Sequence, residues 1–217
     1  MKHKQLILLL LPFFFLSYCT PKTQHRGEMP EKLSQAELDK LSKAYFASGC
    51  FWCVEAIFEE VKGVKEAVSG YSGGKIKDPT YEQVSSGATR HAEAVEVYYD
   101  PAEVDFATLV RVFFGSHDPT TPNRQGPDRG PQYRSVVFYQ NAAEEAETRK
   151  EIKELESSGE FPEGSIVTEV VPFEVFYDAE DYHQDYERKH PNNPYIQGVS
   201  IPRLKRFQKK FPELLKH

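Results

Sequence analysis

Cysteine is scarce in this chain: there are three, and none follows Cys53. A secreted scaffold stapled by disulfides uses more of them. A second CxxC pair is missing, and His91, His117, His183 and His190 fall into no HxxxH spacing, so the four ligands of a structural zinc site are not assembled by motif. Basic excess is missing too. A formal net charge of −6 argues against a nucleic-acid partner, whose footprint is a basic patch. The basic cluster PRLKRFQKK (202–210) reads as a solvated helix face. No internal repeat is visible. The apolar run over residues 6–16 stops short of the roughly 20 residues that a membrane span needs.

What is present belongs to an exported globular protein. The start, MKHKQLILLLLPFFFLSYCTPK, sets two lysines before the apolar run and a polar region after it, the layout of a bacterial export signal. Leu16-Ser17-Tyr18-Cys19 resembles a lipoprotein processing box, although Tyr18 stands where a small residue is usual. Lipidation of Cys19 is preferred over plain cleavage, with an uncleaved anchor third. Residues 1–19 are therefore read as the signal, 20–33 as a flexible tether and 34–217 as one catalytic domain. That places the protein in the cell envelope, facing the periplasm or exterior and touching the membrane only through its anchor. A domain of about 190 residues can bury one sizeable core.

Ser34 to Glu37 reads as a capping box opening a short helix to about Leu41. Residues 43–48 form a strand candidate, and Val54, Ile57, Phe58 and Val61 then repeat at helical spacing up to Gly63. Strands are also expected at 64–70, 92–99, 133–140, 167–171 and 173–177. Helices are expected at 106–116, at 142–157 behind an Asn141 cap, and near 180–189 and 203–214. The segment 71–80 is turn-rich, and 117–132 is a long loop of the kind that carries function or disorder. Strands and helices without regular βαβ spacing favour an α+β two-layer sandwich.

The stretch GCFWCVE (49–55) puts Cys50 where a strand hands over to a helix. The free N–H groups and dipole there lower a thiol's pKa. Cys53, one turn on, is close enough for a short-loop disulfide after modest adjustment. Glu55 is expected to point away. Four readings of the pair compete: a metal site, a thioredoxin-like redox motif, two space-filling cysteines, and one reactive thiol beside an apolar surface built by Phe51 and Trp52. The strand AEAVEVYY places Glu93 on one face with Val95 and Val97, either a functional acid or a strand-end residue reaching water.

GCFWCVE together with GYSGG (70–74), DPTYEQV (78–84), HAEAVEVYYDP (91–101), HDPTTPNRQG (117–126) and QYRSVVF (132–138) resembles the type A peptide-methionine sulfoxide reductases over about residues 45–211. Those enzymes restore one epimer of methionine sulfoxide. The resemblance implies a mixed central sheet with helices packed on it and a ferredoxin-like core. It also implies an enzyme without bound cofactor or metal, acting on oxidised proteins or peptides and regenerated by thioredoxin or a thioredoxin-like dithiol. On it Cys50 is the nucleophile, Glu93 the acid, and Tyr81 and Tyr133 the holders of the sulfoxide oxygen. Phe51 and Trp52 wall the methyl pocket and Asp128 contacts substrate. With no later cysteine, Cys53 is the resolving thiol, as in one subset of the family. Without the family, Tyr81 reads as a turn residue and Tyr133 as an edge-strand aromatic. Pro127 and Pro131 depart from the family pattern and remove backbone N–H groups. Arg90 stands where a small residue is common, adding positive charge that would favour ionised Glu93. A general thiol–disulfide oxidoreductase is the enzymatic alternative, and a lipoprotein interaction or metal-binding module the non-enzymatic one.

Overall fold

The computed structural model describes residues 33–216. The export signal, Cys19 and all but the last residue of the tether lie outside them. Ser34 and Glu37 do close a capping box, over the single turn α1 (Gln35–Leu38). The chain then runs β1 (Ser42–Ser48), α2 (Phe51–Glu59), β2 (Val64–Ser72), α3 (Tyr81–Ser85), β3 (Ala92–Tyr99) and α4 (Phe106–Gly115). A two-residue hairpin, β4 (Arg124–Gln125) and β5 (Asp128–Arg129), precedes a 3-10 turn, Pro131–Tyr133. β6 (Ser135–Tyr139), α5 (Ala142–Ser157), β7 (Glu169–Pro172) and β8 (Phe176–Asp178) follow. The chain closes through a 3-10 turn Asp181–His183, α6 (Tyr186–Lys189), a π-helical segment Ile196–Ser200 and α7 (Ile201–Lys210).

The main sheet has the order β7-β6-β1-β3-β2-β8. Its four central strands pair antiparallel, and only β7 joins in parallel, on β6, so the sheet is mixed. β1, β2, β3 and β6, linked by α2 and α4, make the split βαβ pattern of a ferredoxin-like core. The expected α+β class holds.

One face of the sheet packs on α2 and α4. Phe46 from β1 stacks on Phe58 at 5.0 Å and on Phe113 at 5.3 Å between ring centres. The other face is covered as well. After β7 the chain crosses back over Tyr45, Ala92, Ala94 and Phe138, laying Phe173 on Tyr45 at 3.7 Å. β3 is consequently buried at every position. That settles the ambiguity about Glu93, which is 1% exposed and cannot reach water from a strand end. Its face is the α2 face, shared with Val95 and Val97.

The expected long loop is ordered as the hairpin. Gly126, at φ 57°, and Pro127 form its two-residue connection between paired Gln125 and Asp128. A glycine with positive φ first and a proline second suits a type II′ turn, so Pro127 forfeits no ladder hydrogen bond. Pro131 opens the 3-10 turn, where its missing N–H has no partner to lose. Tyr133 ends that turn, so it is not the first residue of the expected strand 133–140, and Tyr81 starts α3 rather than lying in a loop. Among the described residues no helix is long and apolar enough to cross a membrane.

Candidate active site

β1 ends against the start of α2 through Gly49, whose φ of 88° is open to glycine at little strain. A Cβ there would also lie 2.6 Å from that of Gln125. This tight corner makes Cys50 the N-cap of α2: its carbonyl accepts the Cys53 N–H at 3.1 Å, while its thiol makes no capping bond and is left for other partners. One orphan N–H of the helix start, that of Phe51, donates instead to Glu93 Oε2 at 3.1 Å. The carboxyl from β3 is thereby fixed beside the cysteine turn.

Burial pushes Glu93 up to about 8, against the pull of the Phe51 amide; the charges of Asp128 and Cys53 add to the rise. At neutral pH it is largely a protonated acid. The expectation that Arg90 favours the ionised form fails: Arg90 is exposed, in left-handed backbone, and the charges that act on Glu93 are negative ones. Glu55 does point away, to Ser69 Oγ and the Asp185 N–H, and burial raises it too, to about 8.

The cysteines are both buried and both reduced. Burial raises the Cys50 thiol, and the hydrogen bond that it gives Cys53 raises it further. That same bond lowers Cys53, to about 6, against its own burial and with help from Arg203, Ser200 and Tyr195. Within the pair the proton is therefore favoured on Cys50 and the charge on Cys53. This reverses the expectation that the helix N-terminus makes Cys50 the more acidic thiol: an N-cap side chain that turns from the N–H groups gains little from them.

Around the pair stands an aromatic box. Phe51 lies 4.9 Å from His183 and 6.5 Å from Tyr81, ring to ring. Trp52 stacks on Tyr186 at 3.7 Å and donates its indole N–H to His183 Nδ1 at 3.1 Å. Tyr81 is held by its backbone N–H, which donates to Glu180 Oε1 at 2.9 Å. Burial first, then Glu93 and Cys50, push the Tyr81 phenol up to about 12. Tyr133 is raised by burial and by Glu93, Tyr81 and Cys50. Both phenols therefore remain proton donors and share the electrostatic neighbourhood of Glu93 and Cys50. Asp128, half-buried, accepts a 2.6 Å bond from the Tyr195 hydroxyl, which also lies 3.8 Å from Cys53 Sγ.

All eight residues expected in the domain's site are thus found about this turn. Those missed are Tyr195, His183, Tyr186 and Arg203, all from the last forty residues. DYHQDY (181–186) offered a signal: three aromatic rings in six residues, at the i, i+1, i+4 spacing of one helix face. The histidines do not gather. His91 pins the 74–76 loop, accepting from the Gly74 N–H and meeting the Ile76 carbonyl at 2.7 Å. His117 bridges the Phe113 carbonyl and Ser135 Oγ. Among the described residues no cluster could hold a metal ion.

A sequence profile described as peptide methionine sulfoxide reductase matches residues 42–215, nearly the whole described chain. The chain belongs to that family. The reductase MsrA 1 of Rhodopirellula baltica is 51% identical over 173 residues, 80% of this chain and 88% of that protein. The reductase MsrA of Sulfolobus acidocaldarius is 48% identical over 171 residues, 78% and 95% of the two chains. Among solved structures, reduced Mxr1 of Saccharomyces cerevisiae superposes with a TM-score of 0.64 at 35% identity, covering 70% of this chain and 87% of that one. For the reductase family's sequence blocks, the fold supplies a physical reason for being far apart: the β1–α2 corner delivers four site residues, and α3, β3 and the 131–133 turn each bring one more to the same place.

Proposed function

We propose that the protein reduces the S-epimer of methionine sulfoxide in peptides and proteins to methionine. The observation that carries this is the protonated Glu93 held against the amide of Phe51, next to a reduced thiol pair in an aromatic box. A sulfoxide oxygen must be protonated to leave its sulfur, and Glu93 is the acid placed beside the thiols to give that proton.

Cys50 passes its proton to the Cys53 thiolate and attacks the sulfoxide sulfur. Glu93 gives its proton to the oxygen while the Tyr81 and Tyr133 hydroxyls share the developing charge. Phe51 and Trp52 receive the S-methyl group, and Asp128 with Tyr195 offers the polar contact to the substrate. Oxygen transfer leaves a sulfenic acid on Cys50 and frees methionine. Cys53 then condenses with it, releasing water and forming the Cys50–Cys53 disulfide, which a thioredoxin-type dithiol reduces.

Separated epimers of a protected methionine sulfoxide, with dithiothreitol as donor, test the reading. Turnover of the S-epimer alone is expected; turnover of neither by folded protein would return the general disulfide oxidoreductase to first place. The start of the chain supports export and a lipid on Cys19. Growth with labelled palmitate should label the wild type and leave Cys19→Ala unlabelled; equal labelling of both would end that assignment.

A further inference from the structure

Arg203 is a cation in an unusual place. It is 6% exposed, on α7, and its guanidinium reaches under the strand-to-helix turn. Nη1 and Nη2 donate to the carbonyl and hydroxyl of Ser48 at 2.9 and 3.0 Å, and Nε to the Ser116 carbonyl at 2.8 Å. All three acceptors are neutral, and among the described residues no carboxylate comes within ion-pair distance of it. A guanidinium does not shed its proton, and a buried charge without a partner of opposite sign is costly. On the solvent side lies a cavity of about 360 Å³ whose lining adds Arg206 and Lys210, with one carboxylate, Asp118. That carboxylate is engaged by the Thr120 N–H and hydroxyl. The neutralising charge is not there. On the opposite side, beyond Ser48 and Gly49, is the cysteine turn; a Cβ on Gly49 would stand 3.5 Å from Nη1.

We propose that Arg203 is the resident counter-cation of the cysteine pair, a positioning residue that stabilises the Cys53 thiolate and so sets how readily the Cys50–Cys53 disulfide is reduced. Cys53 faces Cys50 on its own turn, Tyr195 and Ser200 from the segment before α7, Arg203 from α7 and Glu93 from β3. Of these Arg203 alone carries positive charge; Asp128, whose carboxyl accepts from Tyr195, also feels that charge and shares it with the cysteine pair. Reduction moves two electrons from the donor dithiol to the disulfide. The donor loses two protons; one goes to Cys50, Cys53 remains a thiolate, and one proton is released. Whatever holds that thiolate pulls the exchange toward the reduced enzyme, as in oxidising dithiol proteins. The redox half of the proposal rests on the disulfide of the proposed function; the thiolate half does not.

The experiment titrates Cys53 by the ultraviolet absorbance of its thiolate in a Cys50→Ser background, where a hydroxyl still donates. Arg203→Gln should move the midpoint up by about one pH unit or more. Arg203→Lys, which keeps the charge, should move it much less. Gln125→Glu leaves Arg203 packed but sets a carboxylate in the adjoining cavity, and it too should raise the midpoint. With both cysteines present, Arg203→Gln should shift the equilibrium against dithiothreitol toward the disulfide by up to about ten-fold. An unchanged midpoint in folded Arg203→Gln and in Gln125→Glu would reduce Arg203 to a structural peg. If Arg203→Gln does not fold, Gln125→Glu decides alone. Failure of oxidised wild type to form the disulfide, read by mass, would strike the proposed function and leave the titration standing.

Discussion

Cys50→Ser should lose at least about 10⁴-fold in sulfoxide turnover, because it removes the attacking sulfur beside the acid, and Cys53, one turn further into α2, does not occupy that place. Cys53→Ser should behave quite differently. It keeps the attacking sulfur, the acid and the pocket, so each molecule should release one methionine and then stall as a sulfenic acid, trappable by dimedone. The distinction requires a thioredoxin-type donor, since a small thiol can reduce the sulfenic acid directly. Cys53 is the resolving residue only if multiple turnover collapses in that assay while the first turnover survives. Continued cycling at the wild-type rate would mean that the donor attacks Cys50 itself. A first turnover slowed along with the rest would point to the earlier task given to Cys53, taking the Cys50 proton.

Glu93→Gln should cost about 10²–10⁴-fold in the oxygen-transfer step, the range of one general acid. The amide is the same shape and can still accept from the Phe51 N–H, so the cysteine turn is preserved and the loss reports the proton. The pH dependence gives the sign. Glu93 sits near 8 in the folded protein, so its protonated, competent form is complete well below that and is lost as pH rises through about 8. Wild-type single-turnover rates should fall over that range, and the Glu93→Gln variant should show no such limb. A wild-type rate that climbs steadily past pH 8 would assign the proton to another group, with Tyr81, near 12, the next in line.

Much of this site was legible in the sequence because its parts lie in short, patterned blocks. The handover from β1 to α2 was visible from periodicity and Gly49, and it located Cys50 on the N-cap. The alternation of AEAVEVYY put Glu93 on its correct face, but whether that face was wet at Glu93 depended on the start of α2 packing over it, a contact 42 positions away that no local pattern announces. The acidity order of the cysteines was also out of reach. It is set first by the hydrogen bond between the two thiols, with help from Arg203, Ser200 and Tyr195 some 140–150 positions downstream, and the helix terminus nearby suggested the opposite. Tyr133 was misread as a strand residue because the strand-forming run Ser135–Tyr139 follows it closely, whereas Pro131 opens a tighter turn before it. Arg90 looked like a neighbour of Glu93 by number; its left-handed backbone carries it to the surface.

The π-helical segment Ile196–Ser200 gives the tail of the chain an unexpected tolerance. A π turn is an α-helix carrying an extra residue, and it fixes the azimuth of everything after it. Gly198 within it is exposed, with open space about it, and a substitution there meets nothing. Deleting one residue there should close the wide turn to an ordinary α turn and leave α7 facing as it does. One residue deleted between Arg203 and Phe207, where no wide turn absorbs the change, would swing every later residue by about 100° around the helix axis and carry Phe207 out of the interior. In the history of this lineage, changes of length should therefore collect in the 196–200 turn and be excluded from the helix after it.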